Sequence, residues 1–562
     1  MIKRCRLVLM LVLFVGLLVS QCHKDASTAY AFEIDFQQRI EDILPNIERT
    51  EMVESTEEMV QQPLLAEITD LSDAYEVILR HASQNFIAGY CLDDAFLMWL
   101  TAEFGEESLM QLAYTVLDTE QDINTWYEVT GNSIHVLWLM YCRDTGFKQD
   151  ALSNVIWTDC KSDEETIISF TGDFNLAEDW HTTLYLNEQQ NGISDCLSPE
   201  LIQILQDSDI LMVNNEFVYS DSNTPLEGKA YTFRADLERV SILKELGTDL
   251  VSLANNHTYD YGEEGLLDTM EVLKEANIAF IGAGENIEAA KKIVYYVANG
   301  KKIAFVSATE IERTKNYTKE ATEDSPGVLK ALNPKKFIGV IEAARKNSDY
   351  VVAIPHWGTE GNLYPDNSQL RQTRLYAQAG ADVIIGGHPH RLQGAGFVEG
   401  IPVAYSLGNF WFSTGTLYTT VAQVVIEKEG ALQLKFVPCL QKDLTTGLIT
   451  DKTEKDGFYH YIAAISSGIG IDAEGNVYDK KLLEESYVFP YDSDSSQTAV
   501  RGGVDNEGFL IDIVGNRKEV PMAETELSTE TETQIETGIS TEMSVETEAL
   551  LEDITEQGTQ MP

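Results

Sequence analysis

Hydrophobic and polar positions follow two alternating periods along the middle of the chain. Short runs of β-branched and other apolar residues predict strands at 166–170, 210–213, 250–253, 303–307, 350–354, 383–385 and 403–405. Apolar residues at helical spacing lie between them, at 237–246, 263–275, 334–346 and 368–379. Strands that alternate with helices predict a layered α/β domain. Two later strand-like runs, 422–427 and 433–437, have no helix between them, which favours a mixed sheet or sandwich.

The regions on either side of this domain have different patterns. Residues 32–75 are acidic and weakly periodic, and we interpret them as a spacer. Apolar residues recur at helical spacing through residues 76–150, which predicts a small helical module. We place the α/β domain at 165–480 and a linker at 481–518.

The last segment, residues 519–562, has the composition of a disordered tail. It contains twelve acidic residues, no Lys or Arg, and repeated Thr-Glu pairs. Such a segment cannot bury enough apolar surface to offset the loss of chain entropy on folding. We therefore predict a disordered acidic C-terminal tail.

The first 31 residues predict export from the cell. A basic start at 3–6 precedes an apolar run, Leu7–Val19, that is short for a bilayer span and typical of a signal peptide. Ala29–Ala31 offers a cleavage site, which favours removal of the segment over its retention as an N-terminal anchor. A lipoprotein is disfavoured because Gln21, rather than a small residue, precedes Cys22. We expect a secreted protein, or one at the extracellular face of the membrane.

Composition and charge argue against some classes of function. The chain has 562 residues, of which 44% are hydrophobic, so most of it can bury a core. There are 91 acidic and 40 basic residues, and the formal net charge is -51, which argues against binding to nucleic acid. The seven cysteines form no C-x-x-C pair, which argues against a zinc knuckle or a thioredoxin-type site.

Polar residues cluster where the predicted strands end. These segments are Gly172-Asp173-Phe174-Asn175, Asn214-Asn215-Glu216, Asn255-Asn256-His257 with Asp260, Pro355-His356-Trp357-Gly358, Gly386-Gly387-His388-Pro389-His390 and Ser406-Leu407-Gly408-Asn409-Phe410. Four of the nine histidines lie in them. Imidazole nitrogens combined with carboxylate and amide oxygens are ligands that suit Mn, Fe or Zn. The pattern therefore predicts a metal site at the strand ends.

These motifs also resemble a known family. In order, GD, N-x-E, NNH-x-x-D-x-G, HWG, GGHPH-x-x-QG and SLGNF are similar to the motifs of the CapA family of poly-γ-glutamate capsule proteins. That family is similar in turn to the calcineurin-like metallophosphatases. The resemblance covers about residues 165–480. It implies a four-layer β-sandwich flanked by helices, which agrees with the mixed strand pattern.

The resemblance also implies two divalent metal ions and a set of ligands. The implied ligands are Asp173 and His390 for the first ion, Glu216 as the bridging carboxylate, and Asn256, His356 and His388 for the second ion. Asn175 stands where the phosphatases have a histidine ligand, and Glu216 stands where they have an aspartate. An amide oxygen binds a divalent ion less strongly than an imidazole does, so we expect the first ion to be bound less tightly than the second.

Other residues of the motifs are expected to face the substrate. By the resemblance, His257 is the catalytic acid or a contact to a phosphate. Arg391, next to His390, is the best candidate for binding a carboxylate or phosphate, and Asp260 and Asn409 are further candidates for substrate binding.

Two classes of function remain open at this point. One is a metal-dependent hydrolase of capsule biosynthesis, acting on an anionic polymer such as poly-γ-glutamate or on a phosphoester. The other is a non-catalytic component that binds or guides the polymer during export, together with membrane proteins of a capsule-synthesis complex.

Overall fold

The computed structural model describes residues 68–85, 90, 92–118, 125–312, 315–482 and 489–493. The predicted signal segment, the acidic tail, and most of the spacer and of the linker lie outside these residues. Within the described part of the chain, no helix combines the length and the apolar character needed to cross a bilayer.

Helices and strands alternate through most of the described chain. The helices are α1 Leu71–Asn85, α2 Asp94–Phe104, α3 Glu106–Asp118, α4 Thr125–Thr130, α5 Ile134–Thr145, α6 His181–Asn187, α7 Pro199–Gln206, α8 Val240–Glu245, α9 Gly262–Glu275, α10 Ile287–Ala290, α11 Lys335–Arg345, α12 Asn367–Gln378 and α13 Lys452–Ala464. The strands are β1 Val155–Trp157, β2 Glu165–Phe174, β3 Ile210–Asn215, β4 Val218–Tyr219, β5 Arg234–Ala235, β6 Leu250–Ser252, β7 Ala279–Ile281, β8 Ala283–Gly284, β9 Val294–Ala298, β10 Lys301–Thr309, β11 Gly327–Val328, β12 Tyr350–His356, β13 Val383–Ile385, β14 Ala395–Val398, β15 Ile401–Ala404, β16 Asn409–Trp411, β17 Leu417–Glu427, β18 Leu432–Lys442, β19 Thr445–Leu448, β20 Ile469–Ile471, β21 Asn476–Asp479 and β22 Tyr491–Asp492.

Most of the strands belong to two large mixed sheets. The first has the order β1-β9-β10-β12-β13-β15-β14. The second runs β22-β20-β21-β18-β17-β2-β3-β6-β7, with β16 paired to β2 and β19 paired to β18. Strands β2, β3, β6 and β7 are parallel, whereas β17 pairs with both β2 and β18 in antiparallel fashion. The prediction of a mixed α/β fold is confirmed.

The apolar residues of the central strands divide between separate cores. In β12, Val352 and Ile354 join a core shared by both sheets, while Val351 packs with Phe337 of α11 in a second core. In β3, residues alternate in the same way between the shared core and a core that contains helices α7, α8 and α9. Strands buried on both faces are expected to have continuous apolar runs, and the sequence of this region has them.

An aspartate precedes each of four parallel strands and binds the neighbouring strand. Asp209, Asp249, Asp349 and Asp382 accept hydrogen bonds from the backbone N–H groups of Ile167, Leu211, Lys302 and Val351, at 2.8, 2.8, 2.7 and 2.7 Å respectively. These bonds fix the start of one strand against the next. The opposite ends of the strands are thereby aligned, and the polar motifs lie at those ends.

The N-terminal helices pack around their own core and contact the first sheet. Helices α1 to α5 share one hydrophobic cluster that includes Trp126 and Trp138. Ser133 donates a hydrogen bond from its backbone N–H to Gly300 O (2.8 Å) and one from its hydroxyl to Asp349 (2.5 Å). β1, which follows the helices, pairs with β9 in parallel and forms an edge of the first sheet.

β2 is longer than its sequence pattern predicted. The strand continues to Phe174 rather than ending at Phe170, with a register shift against β3 between Phe170 and Asp173. Gly172 makes this possible, because a Cβ atom at that position would lie 2.0 Å from the carbonyl oxygen of Gly408. The close approach lets the backbone N–H of Asp173 donate to Gly408 O (2.8 Å).

We predict that Gly172→Ala destabilises the protein by about 1–3 kcal/mol, the usual cost of overpacking a tight contact. Gly339→Ala is the matched control, because an added Cβ there meets no atom within 4 Å apart from the adjacent backbone of its own helix. In a helix interior that change should stabilise by about 0.5–1 kcal/mol. Thermal unfolding of both variants measures the difference, and equal stability of the two would contradict the packing described for β2.

Candidate metal centre

Strands of both large sheets deliver polar side chains to a common edge. The contributing residues are Asp173 in β2, Glu216 just after β3, Asn256 after β6, His356 at the end of β12, and His388 and His390 after β13. A bridge between His356 and Gly387 joins the last two segments. In α/β folds, binding sites lie at the carboxyl ends of the parallel strands, because these ends all lie at the same edge of the sheet.

Asp173 and Glu216 form the buried acidic part of this cluster. Neither side chain has any exposed surface. The Asn214 side chain lies between them: its Nδ2 donates to Asp173 Oδ1 at 2.8 Å and is 3.4 Å from Glu216 Oε2. One amide therefore holds both carboxylates in place.

His356 and His388 lie on one side of Glu216. His356 Nε2 is 3.5 Å from Glu216 Oε1 and 2.8 Å from Asn256 Oδ1. The rings of His356 and His388 have centroids 4.9 Å apart. Ligand atoms of Glu216, His356 and His388 all lie within 4.8 Å of one another.

His390 lies on the other side. Its Nδ1 is 3.0 Å from Asp173 Oδ2 and 2.8 Å from Asn409 Oδ1, while its Nε2 is 3.9 Å from Glu216 Oε1. Asp173, Glu216 and His390 form a second group of ligand atoms within 4.8 Å. Glu216 is common to both groups.

Two of the histidines have strained backbones. His388 has a φ of 100° and His390 a φ of 56°, backbone conformations that residues other than glycine rarely adopt. Such strain persists only where the surrounding structure enforces it, and it is concentrated at functional sites. Here it turns both imidazoles of the His-Pro-His segment toward Glu216 and Asp173.

Burial and mutual repulsion determine the ionisation of the cluster. The pKa of Glu216 is raised well above its ordinary value, first by burial and then by the charge of Asp173. Burial also acts to raise the pKa of Asp173, but the hydrogen bond and charge of His390 outweigh it and leave that pKa lowered. Burial lowers the pKa of His356 to about 3, so this ring is neutral and able to bind a metal.

The donor set fits a divalent ion. Glu216 Oε1 is buried and has no hydrogen-bond partner within the described residues. A buried, unpartnered carboxylate oxygen is costly unless a cation neutralises it. Carboxylate oxygens and imidazole nitrogens without a thiolate suit Mn, Fe or Zn. The structure thus contains residue groups able to hold a metal ion.

His257 belongs to a neighbouring buried network. Its Nδ1 is 2.7 Å from Asp260 Oδ2, and Asp260 Oδ1 accepts from Lys229 Nζ at 2.6 Å. The Lys229 side chain is only 6% exposed, and it also donates to the backbone carbonyl of Asn256. Burial lowers the pKa of His257 despite the opposing charge of Asp260, so the ring is neutral at neutral pH.

The remaining predicted residues have distinct surroundings. The Oδ1 atom of Asn175 accepts from the backbone N–H of Ala177 at 2.7 Å, so part of its binding capacity is used locally. Asn409 is buried behind His390 rather than open to solvent. Arg391 is half-buried, and no described carboxylate lies within ion-pair distance of it. The substrate contacts predicted for Asn409, Asp260 and Arg391 stay predictions.

Three residues around the cluster were given no role from the sequence: Asn214 was noted only as part of a polar segment, and Lys229 and Glu360 were not noted. Asn214 lies two positions before Glu216, and this spacing in a strand could have indicated a shared face. Glu360 lies two residues beyond the HWG motif, and its carboxylate comes near His388 and His390. Lys229 lies in a loop between β4 and β5, where no periodic pattern distinguishes it.

Two facing mixed sheets with carboxylates and imidazoles at their strand ends define a protein of the metallophosphatase-like class. A family model described as "Bacterial capsule synthesis protein PGA_cap" matches residues 167–414. The PGA biosynthesis protein CapA of Bacillus subtilis (strain 168) is 33% identical over 284 residues, covering 49% of this chain and 72% of that protein. The capsule biosynthesis protein CapA of Bacillus anthracis is 32% identical over 269 residues, covering 47% and 61% respectively. The chain belongs to the CapA family of bacterial capsule synthesis proteins, as its motifs predicted.

We predict that Glu216→Gln stabilises the metal-free protein and abolishes stabilisation by metal. Folding raises the pKa of Glu216. The contribution of this group to the free energy of unfolding is therefore fully present at low pH, and it is lost as the pH rises from the ordinary glutamate range through the raised pKa. The advantage of the glutamine variant should therefore grow with pH. Metal at about 100 times its Kd should stabilise the wild type alone by about 2.7 kcal/mol.

Thermal unfolding between pH 5 and pH 8, with and without Mn²⁺ or Zn²⁺, measures both effects. Glu271→Gln, a change on the exposed face of α9, is the control and should behave as the wild type does. Equal stabilisation of wild type and Glu216→Gln by metal would contradict the placement of Glu216 in the centre.

Proposed function

We propose that this chain is an exported cell-envelope protein of poly-γ-glutamate capsule biosynthesis, and that its α/β domain is a metal-dependent hydrolase. The family and the names of the two Bacillus relatives support the role in capsule biosynthesis. The basic and apolar N-terminal segment supports export, to the extracellular face of the membrane or beyond it. The layers of helices and sheets support a four-layer metallophosphatase-like sandwich for residues 165–480.

The observation that carries the proposal is the buried pair Asp173 and Glu216 flanked by three histidines. Each of two groups of ligand atoms could hold an ion, and Glu216 belongs to both groups. Glu216, Asn256, His356 and His388 would hold one ion, and Asp173, Glu216 and His390 the other. Bound divalent ions of this kind activate water and polarise the oxygen of the bond to be cleaved.

The chain's own residues supply the rest of the chemistry. His257 is held by Asp260, which Lys229 binds in turn. Because burial lowers its pKa, His257 is neutral at neutral pH and has to accept a proton before it donates one. Arg391 follows His390 in the chain and has no described carboxylate within ion-pair distance, which suits it to bind an anionic group of the substrate. A strongly acidic chain needs such a local positive charge to receive a polyanion.

A second candidate function is non-catalytic binding and guidance of the polymer during export, with membrane proteins of a capsule-synthesis complex as partners. The environment of Asn175 favours it. This residue replaces a histidine ligand of the phosphatases, and its amide oxygen is engaged by Ala177. Loss of one ligand weakens the first metal position, and a fold with one ion still binds anions.

We predict that His388→Ala and His257→Ala have different effects. His388→Ala should lower the metal content, because it removes a ligand nitrogen. His257→Ala should keep its metal and lose about 100- to 10,000-fold in rate, the usual contribution of proton transfer. The measurements are metal analysis of both purified variants and assays of phosphoester and γ-glutamyl hydrolysis.

The outcomes separate the two candidate functions. Full metal content in His388→Ala would refute its assignment as a ligand. Unchanged function in His257→Ala with metal bound would favour the non-catalytic role, as would a metal-loaded wild type that hydrolyses neither bond.

A further inference from the structure

An exposed carboxylate lies on the solvent side of the buried cluster. Glu360 is 67% exposed, whereas the His388 side chain beneath it is 4% exposed. Glu360 Oε1 is 4.0 Å from His388 Nε2. Ligand atoms of Glu360, His388 and His390 lie within 4.8 Å of one another, which is a third group suited to a metal ion.

The loop that carries Glu360 is fixed at both ends despite this exposure. Before it, the backbone N–H of Gly358 donates to the buried Glu310 side chain at 3.1 Å. After it, Gly361 N–H donates to Pro389 O at 2.9 Å, between the two histidines. The Gln393 side chain donates to Asn362 O at 3.0 Å. These bonds fix the backbone on both sides of Glu360, so its carboxylate stays within reach of His388 and His390.

The basic groups that face Glu360 are the imidazoles of His388 and His390. Within the described ranges, no Lys or Arg lies within ion-pair distance of its carboxylate. Its charge adds to the repulsion already acting in the cluster: after burial and Asp173, it is among the causes that raise the pKa of Glu216. An acidic group held close to Asp173 and Glu216 adds to their mutual repulsion, and a bound divalent ion would offset that repulsion more fully than the imidazole of His390 does.

The three groups of ligand atoms share their histidines. Each imidazole nitrogen binds one ion, so the group with Glu360 adds a ligand to the existing centre more readily than it adds a third ion. Metal centres that act on substrates keep a position open to solvent. Glu360 is the one member of the three groups that lies mainly in solvent, so it faces that position.

We propose that Glu360 is a metal ligand on the solvent side of the centre, at the coordination position where an anionic group of the substrate binds. This proposal rests on the metal centre of the proposed function. A carboxylate of poly-γ-glutamate or a phosphate oxygen has the same chemistry as this side chain and would displace it. Glu360 then strengthens metal binding in the absence of substrate and competes with anions for the centre.

The test titrates the metal-depleted full chain with Mn²⁺ alone and Zn²⁺ alone by calorimetry. Glu360→Gln should weaken metal binding about 10- to 100-fold, in the range found when groups that support a metal are removed. Glu360→Asp keeps the charge on a shorter side chain and should also bind metal more weakly. Glu271→Gln, an exposed change on α9, should match the wild type.

The second measurement titrates each metal-loaded protein with inorganic phosphate. Phosphate should bind about 10-fold more tightly to Glu360→Gln than to the wild type, because a competing ligand and a negative charge are gone. Opposite changes in metal and phosphate affinity distinguish displacement from simple damage to the loop, which would weaken both.

Several results would overturn the proposal. Wild-type metal affinity in Glu360→Gln would exclude a ligand, and wild-type affinity in Glu360→Asp would leave only an effect of charge. Weaker phosphate binding by Glu360→Gln would exclude competition. A wild type that binds neither ion would reject the metal centre and the proposed function with it, whereas the other results reject the role of Glu360 alone.

Discussion

The structure depends on two carboxylates, Asp173 and Glu216, that are enclosed side by side without an adjacent lysine or arginine among the described residues. Two buried like charges are unfavourable unless one takes a proton or a cation lies between them. The pKa of Glu216 is raised and that of Asp173 is lowered, so Glu216 is the carboxyl group that takes a proton when no metal is bound. The histidines around the pair suit the alternative, in which a cation binds. A divalent ion would resolve the repulsion that the fold creates.

Much of the surrounding architecture serves to hold this arrangement. The aspartates at the starts of the parallel strands fix their register, so the polar residues at the opposite ends meet. Gly172 lets β2 carry Asp173 inward past Gly408. The left-handed backbone at His388 and His390 is an energetic cost of placing two imidazoles against buried acids. Folding stability is thus used to pre-organise a group of side chains able to hold a metal ion.

The sequence predicted the alternation of strands and helices, the mixed sheets and the family, because apolar periodicity and short motifs are local signals. It did not predict that β2 extends through Asp173, since that depends on contact with Gly408, far along the chain. Lys229 and Glu360 were not predicted as parts of the site, because they lie in loops, which carry no periodic pattern. Only the fold shows that the Lys229 side chain is buried beside Asp260 and that Glu360 lies near His388. Residues on strand ends could be found from sequence, whereas residues brought in by loops could not.

The most direct test of this account is the anomalous scattering from a crystal of the protein grown with Mn²⁺. We expect a peak among Glu216, His356 and His388, with a second between Asp173, Glu216 and His390 if the first metal position is retained. A map with no peak at these side chains, from a crystal in which they are ordered, would contradict the account.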